Sequence, residues 1–338
     1  VIKKQFFYLA ILFSALGGGI LSYFLFHRSA EPPAANPAAD TGTKSNACLP
    51  AVFRMHNFKY TEPLLCADRN CESPRFASIK SAVNQLNNSF KTSGDIASSS
   101  VYLRDLENGD WMNYNEYQTF HPASLLKVPL MIAILRTAEK QPGYLDKAYL
   151  FDPPKDLVLP KQNYISKSLE PGKKYTIKEL LTYMVSYSDN KANWLLQDKM
   201  EPDIYENLLV DSGLGLPTPE QQSDGGQQVT SRAYSNFMRI LFNSSYLSPE
   251  YSDLALSMMA GCDFNDGMLK GLPEGIKIAH KFGEWDNHKE YELHESGIIY
   301  HDHKAYLITI MTKGDSRDKL PKVVSAMTKM MYEKLSAP

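Results

Sequence analysis

Phe120-His-Pro-Ala-Ser-Leu-Leu-Lys-Val-Pro-Leu-Met-Ile-Ala-Ile-Leu135 sets Ser124 and Lys127 one helical turn apart at the start of an apolar helix. Residues three apart share a helix face, so a hydroxyl and an amine here fall within reach of each other. A serine alone is a weak nucleophile and needs a base. A lysine held in apolar surroundings beside other positive groups has its pKa lowered, and its neutral amine can take the proton. The spacing by itself selects nothing, because Ser-x-x-Lys occurs three times: Ser124/Lys127, Ser188/Lys191 and Ser316/Lys319. What distinguishes the first pair is its company.

Two further motifs follow in order: Ser188-Asp189-Asn190 at a junction between helices and Lys281-Phe282-Gly283 late in a strand. Singly, the first is a good helix cap and the second an ordinary strand end. Together with Ser124 and Lys127 they supply a complete acyl-transfer set. Ser124 attacks an amide carbonyl, and Lys127 takes its proton directly or through water. Ser188 relays a proton to the leaving nitrogen, and the Asn190 amide bonds the substrate's own amide. Lys281 adds the positive charge that lowers the Lys127 pKa and attracts a substrate carboxylate. Gly283 lets substrate approach the strand edge closely.

The surrounding pattern places these residues. Ser73-Pro74 opens a helix whose Phe76, Ile79, Val83, Leu86 and Phe90 recur at helical spacing. Two strands, Val101 to Leu106 and Trp111 to Asn115, flank the turn signal Asn108-Gly109. After the Ser124 helix, Asp152 to Lys174 is a polar, proline-bearing loop, and Thr176 with Glu179 forms a capping box. Ala192, Leu195 and Leu196 start a further helix, Gly213 to Gln228 is a glycine- and glutamine-rich loop, and helices follow from about Thr230 to Phe242 and from Ser248-Pro249. Ile276 to Gly283, Tyr291 to Tyr300 and Ala305 to Thr312 are three strands, and Leu320, Val323, Val324, Met327, Met330 and Met331 make the apolar stripe of a last helix. The expected fold is α+β: a five-stranded antiparallel sheet flanked by terminal helices, with a second, all-helical lobe and a cleft between them.

In these motifs, in Phe120 and in Ser296-Gly297-Ile298-Ile299, the chain resembles the class A β-lactamases, within the wider penicillin-binding and D,D-peptidase superfamily. The resemblance runs from about residue 73 to the C-terminus. It implies a serine hydrolase that opens β-lactam amides through an acyl-serine, with an oxyanion hole from the backbone N–H groups of Ser124 and Glu284. No cofactor is implied. Two departures stand out. Phe282 replaces a Thr or Ser whose hydroxyl helps hold a substrate carboxylate. The family's Glu-Pro-x-x-Asn loop, whose glutamate activates the deacylating water, is missing: Glu201-Pro202 is followed by Tyr205 in place of Asn, and Glu220 and Asp224 are the remaining acidic candidates. Without an activated water the acyl-enzyme persists, as in a penicillin-binding protein acting on peptidoglycan stems or a non-hydrolytic β-lactam sensor.

Phe6 to Phe26 is 21 residues without a charge, preceded by Lys3 and Lys4, long enough to span a bilayer. Three regions are therefore expected: a membrane anchor over 1–28, a tether and cysteine-bearing extension over 29–72, and a catalytic domain over 73–338. The lysines put the N-terminus in the cytoplasm and the body outside, in the periplasm or at the cell surface. Export makes disulfides possible, with Cys48, Cys66 and Cys71 stapling the extension and Cys262 a candidate tie to the body. Basic and acidic residues balance, 36 to 38, leaving no footprint for nucleic acid. A zinc site among His280, His288, His294, His301 and His303 matches no familiar spacing, so no metal is expected.

Overall fold

A computed structural model describes residues 50–338 apart from 57, 161, 165, 200, 201, 216–225 and 338. The sequence expected to form the membrane anchor lies outside the described residues, and among those described no helix is long and apolar enough to cross a membrane.

Five strands make one antiparallel sheet: β3 (Ser98–Asp105), β4 (Trp111–Tyr114), β9 (Lys277–Asp286), β10 (Tyr291–His301) and β11 (Lys304–Gly314). Their order, β4-β3-β11-β10-β9, brings strands from both ends of the chain side by side. That pairing leaves β9 at an edge. Helix α1 (Ala77–Thr92) and the C-terminal helix α8 (Leu320–Ser336) cover one face, burying Ile79, Val83, Val323, Val324, Met327 and Met331.

The second core joins the other face to the helical lobe. Its centre is α2 (Lys127–Lys140), which buries residues all round, as a helix surrounded by others must. Around it stand α3 (Ile177–Ser186), α4 (Asn190–Gln197), α5 (Pro202–Asp211), α6 (Ser231–Phe242) and α7 (Pro249–Ala260). The lobe is not all-helical as expected. A ribbon of β6 (Ala148–Leu150) and β7 (Lys174–Thr176) closes the base of the 151–173 loop, and β5 (Thr119–Phe120) pairs with β8 (Val229–Thr230). Thr176 caps α3 through the Glu179 N–H, with the Glu179 side chain returning to the Thr176 N–H.

From Pro50 onward the expected extension is packed into the body. β1 (Pro50–Arg54) and β2 (Leu64–Arg69) form a hairpin that buries Met55, Leu65 and Cys66. Cys71 is disulfide-bonded, with its partner outside the described residues. Cys66 and Cys262 are free, buried thiols, so Cys262 makes no tie to the extension.

Candidate active site

The candidate nucleophile, Ser124, stands on a strained approach. Ala123, immediately before Ser124, has φ +49°, a region a side chain enters only under constraint. A short 3-10 turn, Ala123–Leu126, then carries Ser124 into α2. This turn packs against β9 at Gly283. A methyl added at Gly283 would stand 2.8 Å from the Pro122 carbonyl oxygen and 3.0 Å from the Leu125 nitrogen. Gly283 is therefore required by the close approach of the protein's own backbone in the turn that carries Ser124.

Ser188 joins the two amines. Held at φ +55° and 1% exposed, it follows the end of α3. Its Oγ accepts from Lys281 Nζ at 2.9 Å and lies 3.3 Å from Lys127 Nζ. Lys127, 4% exposed, also donates to the Ser188 carbonyl at 2.5 Å and to Asn190 Oδ1 at 2.7 Å. A neutral amine has two N–H groups and one lone pair. With both N–H groups given to those two carbonyl oxygens, the lone pair is left to take a proton from a hydroxyl. Burial, then the Lys281 charge, holds Lys127 well below the usual lysine range against the pull of Asp189. Burial also lowers Lys281, to about 8, while nearby acidic groups oppose the shift. The two amines are thus driven down together, Lys127 by burial and by the Lys281 charge, Lys281 by burial alone.

Asn190 and Lys281 serve the protein more than expected. Asn190 Oδ1 is held by Lys127, and its Nδ2 donates to the Pro160 carbonyl at 3.0 Å. Lys281 is 0% exposed, with the Phe282 ring 4.1 Å from its Nζ. Its charge acts from behind Ser188. Asp189 is the N-cap of α4, as a capping reading of the motif requires, and it also accepts from the Leu169 N–H and the Ser168 hydroxyl. The motif thus fastens the 151–173 loop to the site.

These groups border a cleft of about 320 Å³, lined by Ser124, Lys127, Ser188 and Asn190 and by the side of β9 at Phe282, Glu284 and Trp285. Sequence reasoning missed Pro160, Gln162, Asn193, Gln197 and Trp285 in this lining. Asn193 and Gln197 repeat at helical spacing from Asn190, a signal that was available. Tyr205, noted in sequence only as a misfit for Asn, reaches the cleft from α5, and burial pushes its phenol to about 12. Glu220 and Asp224 lie outside the described residues.

The lysines of the other two Ser-x-x-Lys pairs serve elsewhere, Lys191 on the Leu169 carbonyl and Lys319 on the Gly94 carbonyl. The histidines are dispersed: His280 bonds Glu295 at 2.6 Å, His294 bonds Glu292 at 3.1 Å and His301 bonds Tyr332 at 3.1 Å. Among the described residues, no three His, Cys, Asp or Glu side chains gather where a metal ion would sit.

A partly exposed serine, a buried lysine whose pKa is held down and a bridging hydroxyl backed by a second amine define a serine hydrolase of the acyl-transfer kind. The chain belongs to the Beta-lactamase enzyme family, whose profile matches residues 81–335. A β-lactamase of Bacteroides uniformis is 24% identical over 249 residues, 67% of this chain and 83% of that protein. Among solved structures, a β-lactamase of Chitinophaga pinensis superposes with a TM-score of 0.63 at 20% identity, covering 77% of this chain and all of that one. PBP-A, determined as a mutant acyl-enzyme complex with penicillin G, superposes at 0.61 and 21% identity, covering 75% and 96%. The α+β β-lactamase fold is common to all of these structures.

Proposed function

We propose that this protein is a membrane-anchored, extracytoplasmic serine hydrolase that opens β-lactam amides through an acyl-Ser124 intermediate. The observation that carries it is the Ser188 hydroxyl set between a depressed lysine and a charged one. Ser124 Oγ bonds the carbonyl carbon, and its proton passes to the Lys127 amine. The C–N bond then breaks, and Ser188 hands a proton to the leaving nitrogen, to be reprotonated from Lys127. Backbone N–H groups of Ser124 and Glu284 receive the oxyanion; removing one such donor typically costs about 3 kcal/mol. Ser124→Ala is expected to abolish the mass adduct formed with a penicillin while the far-UV spectrum and melting temperature hold; an adduct that survives the substitution overturns the proposal. Sedimentation of the full chain with membranes tests the anchor.

A second reading, a penicillin-binding D,D-peptidase or a β-lactam sensor, is favoured by Tyr205 in the cleft where a deacylation site needs a polar partner for water. Its phenol, pushed to about 12, is no base near neutrality. Intact-mass spectra over time separate the two: a transient adduct means hydrolysis, and a lasting one means capture. Turnover of a D-Ala-D-Ala peptide identifies the peptidase.

A further inference from the structure

Gly283 pairs with His294 across β9 and β10, and Trp285 pairs with Glu292, so these four residues share the sheet face that meets the Ser124 turn. His121, on the approach to Ser124, is fastened to this face by its N–H, its ring and its carbonyl. Glu292, 2% exposed, accepts from the His121 N–H at 2.8 Å and from its Nδ1 at 3.2 Å. His294 Nδ1 accepts from the Thr312 N–H at 3.3 Å, so the His294 proton is on Nε2, which donates to the His121 carbonyl and to Glu292, both at 3.1 Å. Held in this way, the His121 imidazole lies flat on the Trp285 indole, with ring centres 3.9 Å apart and planes 5° from parallel. One face of the indole is thereby covered, and the rest of the half-buried ring is what Trp285 brings to the cleft beside Ser124. A ring already pinned loses little freedom when a ligand packs on it.

We propose that Trp285 is a specificity-determining residue, a fixed aromatic wall that favours acyl donors whose side chain ends in a planar ring, and that His121 is its positioning residue. The assignment rests on the acyl-Ser124 reading and narrows its substrate class. Trp285 directly follows Glu284, whose backbone N–H is expected to receive the oxyanion, so a side chain attached next to the reacting carbonyl runs beside the indole. A flat ring gains there by stacking, beyond what burial of its apolar surface contributes. A saturated ring of the same size gains only the burial.

The test uses the full chain and two penicillins that differ only in the saturation of one ring, benzylpenicillin and its cyclohexylacetyl counterpart. Second-order rates of Ser124 acylation are followed by intact mass in the wild type, Trp285→Phe, Trp285→Leu and His121→Asn. The wild type is expected to react about three- to tenfold faster with the phenyl donor. Trp285→Phe should keep a preference of the same sign, and Trp285→Leu should bring the ratio to about one. His121→Asn retains an N–H donor for Glu292 but has no ring to stack, and its ratio should fall to about twofold or less. The ratio is the readout because a general loosening of the turn slows both donors alike. Equal rates in the wild type, a faster cyclohexyl donor, or a preference that survives Trp285→Leu overturns the aromatic wall while the acyl-serine reading stands. An undiminished preference in His121→Asn overturns the positioning role. No adduct with either donor overturns the wall and the acyl-serine reading together.

Discussion

Lys127 and Lys281 have the same side chain and opposite duties, and their surroundings assign them. Lys127 is depressed by burial and by the charge of Lys281, and burial pushes Lys281 itself down to about 8. Acylation needs the neutral Lys127 amine, so its rate rises with pH through the Lys127 pKa. Removing the neighbouring positive charge raises that pKa. In Lys281→Met the acid limb of the acylation profile therefore moves to higher pH, and the rate near neutrality falls by about a hundredfold. Rates of adduct formation across a pH series check this, and a limb that stays at its wild-type position would show that Lys281 acts in another way. The Ser124/Lys127 spacing was legible because helix periodicity is local. The engagement of Asn190 by Lys127 and Pro160 was not, since those three residues meet only after folding.

At the scale of elements, the site depends on an edge strand lying flat against a 3-10 turn. β9 has a sheet partner on one side only, and at Gly283 it meets the residues that carry Ser124. Pro122 and Leu125 meet Gly283 through backbone atoms, which cannot swing aside as a side chain would. Gly283→Ala is accordingly expected to displace the nucleophile, lowering acylation about a hundredfold at a stability cost of about 1–3 kcal/mol. Acylation rates and thermal melts on the same preparation test it, and a wild-type rate would refute the contact. The five strands were readable from alternation and from the Asn108-Gly109 turn, and they appear with ends moved by a few residues. Helix α5 was overlooked because Glu201-Pro202 was weighed as part of a loop motif, although a proline in the first turn is itself a helix start. The hairpin β1-β2 was hidden by its short runs, which read as a cysteine-bearing extension.

That hairpin shows what holds the molecule together beyond its two cores. Asp68, on β2 and 5% exposed, receives Arg104 from the central sheet at 2.6 Å and Arg239 and Arg232 from α6 at 3.3 and 3.4 Å. Arg239 also reaches the Ala67 carbonyl at 2.6 Å, and Arg232 lies over the Trp111 ring at 4.0 Å. One carboxylate thus serves three guanidiniums drawn from two distant stretches of chain. No local pattern in sequence announces such a meeting, so the domain's near edge was placed after residue 72 when the body already includes Asp68. Removing the carboxylate leaves Arg104 and Arg239 buried without their counter-charge, which is far more costly than losing a surface pair. Asp68→Ala is expected to destabilise the whole domain by about 3–5 kcal/mol and lower its melting temperature by about 5–10 °C. Asp68→Asn, which keeps one acceptor but no charge, should fall between. The cleft residues lie on other elements, so the variant that remains folded at low temperature should still acylate Ser124. Calorimetric melts of the two variants decide the matter: if Asp68→Ala melts with the wild type, the hairpin is an appendage and the ion cluster is not what secures it.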